Sequence, residues 1–68
     1  MKSKILTKRE YEVFTLLVEN YTTNDIALDL GISEKTVRNH ISNVIQKLGV
    51  TGRAAAVVEL LKLKEIEL

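Results

Sequence analysis

The sequence predicts an all-α fold of four helices in one domain, and three observations support this prediction. Apolar residues recur at helical spacings, polar residues suited to helix caps precede the apolar stretches, and the 68 residues include no proline and three glycines. Such a composition favours long helices over strands joined by turns. We predict a single domain over residues 1–68, with helices at about 7–20, 23–30, 34–48 and 52–64.

The first two helices are predicted from the residues at their ends. Thr7 and Glu10 have the spacing of a capping box, in which each residue bonds to the backbone of the other. Asn20 suits the left-handed conformation that ends many helices. Thr22 or Thr23 is the expected N-cap of the second helix. This helix is predicted to be short, because the turn at Gly31 follows soon after.

The third helix follows a tight turn at Gly31, where glycine supplies the positive φ angle that such a turn needs. Ser33 is its expected N-cap and Gly49 its expected C-terminal signal. Its apolar stripe is formed by Val37, Ile41, Val44, Ile45 and Leu48. Two helices joined in this way form a helix-turn-helix, whose second helix enters the DNA major groove. The predicted fold class is a four-helix helix-turn-helix domain without a wing.

The polar face of the third helix carries side chains that can read base edges. Arg38 can bind guanine and Asn39 can bind adenine through paired hydrogen bonds, and Ser42 is short and adaptable. The free amides at the start of this helix favour a phosphate. The residues expected to contact the DNA backbone lie at that end of the helix or to one side of the three base-reading residues. They are Ser33, Lys35, Thr36, His40 and Asn43.

The net charge of +1 is unevenly distributed along the chain. Between residues 33 and 53, four cationic side chains stand against one acid, which gives +3. Two of these four cations, Lys47 and Arg53, are further candidates for the DNA backbone, and Lys2 and Lys4 make the N-terminal arm positive. The distribution of charge matters more for phosphate binding than the total does. Double-stranded DNA is therefore the predicted partner.

The fourth helix is apolar around well over half of its circumference, whereas packing on a three-helix core needs a stripe of only about 100°. The surplus predicts a contact with the same helix of a second subunit, and therefore a homodimer. A generous core contact of an end helix is the alternative explanation. The residues expected in the interface between subunits are Ala54, Val58, Leu61 and Glu65.

Other classes of function are disfavoured. The chain has no cysteine and a single histidine, so we expect no metal site. Nothing resembles a nucleophile beside a base, so we expect no enzyme, no cofactor and no small-molecule ligand. No apolar run reaches about 18 residues, and the N-terminus lacks the apolar segment of a signal peptide, so a cytoplasmic protein is expected.

Three motifs resemble the DNA-binding domain of the LuxR/NarL superfamily. They are Leu6-Thr7-Lys8-Arg9-Glu10, the helix-turn-helix from Ile26-Ala27 to Thr36-Val37-Arg38, and Lys47-Leu48-Gly49-Val50 followed by Arg53. The resemblance covers almost the whole chain and is greatest for the stand-alone, spore-regulator type. The sequence departs from the wider pattern at Asn20, where glycine is usual, and at Gly52, where a polar cap is common.

The resemblance implies a bacterial, nucleoid-associated transcription regulator that binds specific DNA sequences as a homodimer and acts in sporulation. It implies base contacts by Arg38, Asn39 and Ser42, and a dimer contact through the last helix. It also implies backbone contacts by Thr23, Lys35, Thr36, His40 and Arg53.

A second hypothesis is a helical adaptor that binds RNA polymerase or another regulator through the fourth helix. The opening motif and the helix-turn-helix also resemble region four of sigma factors, although the closing motif fits the LuxR type better. RNA polymerase is therefore a further candidate partner. A steep loss of DNA affinity with salt would indicate phosphate contacts and distinguish a DNA-binding protein from an adaptor.

Overall fold

The computed structural model describes residues 5–68 and confirms the predicted all-α fold. Its helices are α1 (Lys8–Val18), α2 (Thr23–Leu30), α3 (Glu34–Leu48) and α4 (Arg53–Lys62), and no strand occurs in the described part of the chain. The predicted α1 and α4 are slightly too long, because they include the cap residues at both ends and the left-handed residue that follows each C-cap. Lys2 and Lys4 of the N-terminal arm lie outside the described residues.

The helix α3 is the centre of the domain, since it packs against each of the other three helices. Its side chains Val37, Ile41 and Val44 are buried. The largest fully buried side chains come from every helix: Val13, Phe14, Ile26, Val37, Val44 and Leu60. Burial of one such side chain stabilises a fold by about 1.5–3 kcal/mol. The apolar stripe of α3 is therefore packed against the other three helices, and the opposite face of α3 points to solvent.

Side-chain caps determine where the helices begin. The capping box of α1 is confirmed, with Thr7 Oγ1 accepting from the Glu10 N–H at 3.2 Å and Glu10 Oε1 accepting from the Thr7 N–H at 3.0 Å. Thr22 and Asp25 form the same reciprocal pair at the start of α2. The N-cap of α4 is Gly52, which forms no side-chain cap bond. The start of α4 is thus the least well capped of the four.

The four helices end alike, each with one residue in the left-handed conformation: Asn20 (φ 71°), Gly31 (70°), Gly49 (68°) and Lys64 (59°). The next N–H then bonds to a carbonyl five residues earlier, as from Ile32 to Ala27 at 3.0 Å and from Glu65 to Leu60 at 2.9 Å. This arrangement satisfies carbonyls that helix ends leave free. Beyond the turn at Lys64, Ile66 is buried in the core.

Candidate nucleic-acid interface

The helix-turn-helix consists of α2, the turn at Gly31 and α3. The positive φ of Gly31 reverses the chain, and Ile32 then packs against the core. Ser33 Oγ accepts the Thr36 N–H at 3.1 Å, and the hydroxyls of these two residues share a hydrogen bond of 2.9 Å. The sequence therefore specifies the residue at which α3 begins, and with it the side chains that face outward.

We call the exposed polar side of α3 its outer face, and it is formed by Lys35, Arg38, Asn39, Ser42, Asn43 and Gln46. The structure thus brings together Arg38, Asn39 and Ser42, the three predicted base-reading residues. They lie opposite the buried stripe, as spacings of one, three and four along a helix require. The arrangement gives a continuous row of hydrogen-bond donors and acceptors on a helix whose opposite side is buried in the core.

The residues predicted to contact the DNA backbone lie in two environments. Lys35, Asn43 and Arg53 are exposed, whereas Thr23, Thr36 and His40 are half-buried. The half-buried hydroxyls have protein partners, since Thr36 bonds to Ser33 and Thr23 donates to Glu34. The exposed cations are consequently the candidates with the freest approach to a phosphate.

Lys47, also predicted at the DNA backbone, is engaged within the protein. Its ammonium donates to Glu10 Oε1 at 2.5 Å and to the Ile5 carbonyl at 3.3 Å. Glu10 is only 3% exposed, and a buried carboxylate is costly unless it is paired. The spacing of the capping box does not by itself predict this burial. The position of Glu10 three and four residues before Val13 and Phe14, on the apolar face of α1, was the signal of burial.

The pKa of Glu10 reflects both its burial and its partners. Burial by itself raises the pKa, because it disfavours the charged form. The hydrogen bond from Lys47, the Thr7 N–H and the positive charge of Lys47 act in the opposite direction and prevail, so that the pKa lies below the ordinary value of 4.5. Glu10 is therefore ionised at neutral pH and joins α1 to the last turn of α3.

Glu34, the first residue of α3, links two of the candidate DNA contacts. Its Oε1 accepts a hydrogen bond from Arg38 Nη1 at 3.2 Å and another from Thr23 Oγ1 at 3.3 Å. The side chains of Arg38 and Glu34 are 57% and 41% exposed, so this is a surface pair worth about 0.3–0.5 kcal/mol. Sequence reasoning did not identify the pair, although a glutamate four residues before an arginine has the favourable spacing.

The four predicted interface residues lie in different surroundings. Ala54 and Val58 are exposed on α4, with 52% of Val58 accessible. Leu61 is half-buried and packs against the core. Glu65 lies beyond the end of α4, and its Oε1 accepts the Ile5 N–H at 3.3 Å. The unpartnered apolar surface of α4 is therefore narrower than the apolar arc predicted from the sequence, and Val58 is the largest exposed apolar side chain within α4.

A second exposed region lies on α2 and the end of α1. An open depression there is lined by Glu19, Asn20, Tyr21, Asp25, Leu28 and Asp29. Leu28 is 75% exposed, and the lining contains three acids and no cation. Its charge is thus opposite to that of the outer face of α3.

Two further features bear on the classes of function. Across residues 5–68, no group of three or more histidine, cysteine or acidic side chains is arranged to hold a metal ion. Within the same residues, no helix has both the length and the apolar character needed to cross a membrane.

Comparison with known proteins gives matches over nearly the whole chain. The model of the luxR family of bacterial regulatory proteins matches residues 4–60. The spore germination protein GerE of Bacillus subtilis (strain 168) is 69% identical over 64 residues, which cover 94% of this chain and 86% of that protein. The transcriptional regulatory protein DegU of Brevibacillus brevis is 52% identical over 58 residues, or 85% of this chain and 25% of DegU.

Solved structures agree with these matches. The structure of the transcription factor GerE superposes with a TM-score of 0.92 at 62% identity, over 94% of this chain and 96% of that one. The crystal structure of the response regulator ChrA, from a heme-sensing two-component system, has a TM-score of 0.85 at 32% identity. It matches 97% of this chain and 33% of ChrA. The chain therefore belongs to the luxR family of bacterial regulatory proteins, a family of DNA-binding transcription regulators and not a class of enzymes.

Proposed function

We propose that the protein binds specific sequences of double-stranded DNA as a homodimer, with α3 of each subunit in a major groove. The observation that carries the proposal is the outer face of α3, which is polar and exposed while its opposite side is held by the core. A helix supported in this way can enter a groove without loss of its own packing. The B. subtilis relative is named for spore germination, and we place this regulator in spore development, on the nucleoid in the bacterial cytoplasm.

Within this proposal, the outer face of α3 divides into base-reading and anchoring residues. Arg38 and Asn39 have side chains that form paired hydrogen bonds with guanine and adenine, and Ser42 extends the row. Lys35 and Arg53 supply exposed positive charge for phosphates. The remaining backbone contacts that we propose come from Thr23, Ser33, Thr36, His40, Asn43 and Lys47.

The homodimer that we propose is formed by α4 and its copy. A two-fold interface uses the same patch twice, and Ala54 and Val58 form an exposed apolar patch on α4 that continues into Leu61. A domain of this size buries only about 60% of its unfolded surface, so it gains stability from further burial. Two copies of α3 would then reach successive major grooves about 34 Å apart.

The test of DNA recognition is selection of duplexes from a randomised pool by the full chain, followed by titration at several salt concentrations. We expect two related half-sites with centres about 10–10.5 base pairs apart and a steep loss of affinity with salt. Selection of no sequence, together with binding that does not depend on salt, would contradict the proposal and favour an adaptor.

The test of assembly is sedimentation of the wild type and of Val58→Asp, alone and on a selected duplex. We expect a weak dimer that DNA strengthens, and a folded monomer for Val58→Asp that binds the two half-sites much less tightly. Leu28→Asp is the matched control, because it makes the same apolar-to-acidic change at an exposed position on α2. A wild type that is monomeric at high concentration and binds DNA as one copy would refute the dimer.

The open depression on α2 and the end of α1, which is lined by three acids, favours contact with RNA polymerase as a second function. Leu28 offers an apolar contact, and the acids around it would attract a basic protein surface. We expect Leu28→Ala to reduce activated transcription in vitro while affinity for the selected duplex is unchanged. Equal transcription by the variant and the wild type would remove this second function and leave DNA binding intact.

A further inference from the structure

The residue Glu34 connects the two helices of the helix-turn-helix through a single oxygen atom. Its Oε1 accepts from Thr23 at the start of α2 and from Arg38 one turn further along α3. An acid in this place is unexpected on an interface that is proposed to bind a polyanion. Its two donors are both proposed DNA contacts, and this combination carries the inference.

The first consequence concerns the orientation of Arg38. A guanidinium group has five N–H donors in a fixed planar fork, and only Nη1 is bonded to Glu34. The remaining donors are free to form a paired contact with a guanine. Because Glu34 also accepts from Thr23, the carboxylate that orients Arg38 is itself linked to the start of α2. Less side-chain freedom then remains to be lost when a base is bound.

The second consequence concerns phosphates. The N-terminus of α3 would attract anions through its free amides, but the carboxylate of Glu34 occupies this region and partly neutralises Arg38. A phosphate must therefore approach an acid, and a phosphate contact by Arg38 competes with an existing ion pair. This penalty applies to every DNA sequence, whereas the paired base contact is gained only where guanine is present.

We propose that Glu34 is a positioning and specificity-determining residue, which holds Arg38 for base reading and weakens binding to non-cognate DNA. The inference rests on the proposed DNA-binding function. It assigns to an acidic side chain on the interface a role in the ratio of specific to non-specific affinity, which is the quantity that matters in a genome. The surface position of the pair makes it weak enough for DNA to rearrange.

The experiment compares the wild-type chain with Glu34→Gln on two duplexes, one selected by the wild type from a randomised pool and one a scramble of equal composition. For the scramble we expect roughly three- to tenfold tighter binding and a salt slope steeper by about one unit, since Arg38 is freed for a phosphate. Affinity for the selected duplex should rise less or fall, so that the specificity ratio decreases.

The matched control is Glu12→Gln, which makes the same change in another exposed arginine–glutamate pair. Arg9 Nη1 lies 3.1 Å from Glu12 Oε1 on α1, compared with 3.2 Å between Arg38 and Glu34 on α3. We expect Glu12→Gln to leave the specificity ratio unchanged. A ratio that decreases equally in both variants would show a general effect of net charge and overturn the proposal.

A double-mutant cycle tests whether Glu34 acts through Arg38. In the Arg38→Ala background, Glu34→Gln should have little effect on the specificity ratio. An equal decrease in both backgrounds, or no decrease in either, overturns the positioning role. If the wild type itself selects no sequence, the proposed function fails together with this inference. If the wild type selects a sequence that Glu34→Gln reads equally well, only this inference fails.

Discussion

Two glutamate–cation pairs of similar chemistry lie at opposite ends of α3. Glu10 is buried and bonds to Lys47 in the last turn, whereas Glu34 in the first turn bonds to Arg38 in the open. The first pair joins two helices that are distant in sequence, and the second lies within α3. Burial therefore determines whether such a pair belongs to the fold or is available to a ligand.

The energetic contrast follows from solvation. A buried carboxylate that loses its partner keeps the full cost of its removal from water, so the cation at Glu10 is required at all times. An exposed pair exchanges water for its partner at little net gain. In the proposed complex, Arg38 can consequently exchange Glu34 for a base, whereas Lys47 must keep its bond to Glu10 and could offer a phosphate only the remaining donor of its ammonium.

The largest expected effect is that of Lys47→Met. The substitution keeps most of the apolar stem of the side chain but leaves Glu10 buried without a cation, and we expect the free energy of unfolding to fall by about 2–3 kcal/mol. Urea denaturation at neutral pH measures this loss. Lys47→Arg, which keeps the charge, should lose distinctly less of the free energy of unfolding. Equal losses for the two variants would mean that packing of the side-chain stem, and not the pair with Glu10, provides the stability.

The same pair predicts how stability changes in acid. The pKa of Glu10 is lower in the folded protein than its ordinary value of 4.5. Its contribution is therefore complete above about that pH and is lost as the pH decreases through the folded-state pKa. We expect the stability difference between wild type and Glu10→Gln to shrink below pH 4.5. A difference that is constant from neutral to strongly acidic pH would contradict an ionised Glu10 in the fold.

The exposed pair of Glu34 and Arg38 should matter little for stability and more for DNA binding. Arg38→Ala removes a side chain that is 57% exposed, so we expect a change of less than about 0.5 kcal/mol in the free energy of unfolding. Binding to the selected duplex should weaken by about 1–3 kcal/mol, with little change on random DNA. Equal losses on both duplexes would indicate that Arg38 contacts phosphate and not a base.

The contrast between these pairs also shows how far the sequence predicts the molecule. The caps at Thr7 and Ser33 and the turn at Gly31 depend on neighbours within a few residues, and all three are confirmed by the structure. The outer face of α3 follows from helical periodicity alone. The pair of Glu10 and Lys47 joins residues 37 positions apart, and one-dimensional periodicity contains no information about such a partner.

The surroundings of α4 were harder to predict for a related reason. A helical wheel shows that its apolar surface is in excess, but it does not show which part α3 covers. The structure leaves Val58 exposed and packs Leu61 against the core, while the turn at Lys64 brings Glu65 to the Ile5 amide. These outcomes depend on where α4 lies on its neighbour, which is a property of the packed domain.

The smallest expected effect is on a third pair, that of Arg9 with Glu12 on α1. This pair tests whether the distance and exposure of an ion pair are enough to predict its effect on stability. Its distance of 3.1 Å is nearly that of the pair at Glu34, and its side chains are similarly exposed. Neither residue is buried or lies on the outer face of α3. We therefore expect Glu12→Gln to change the free energy of unfolding by less than about 0.5 kcal/mol, measured by urea denaturation. A larger loss would show that exposure alone does not make an ion pair dispensable, and the contrast between Glu10 and Glu34 would then need another cause.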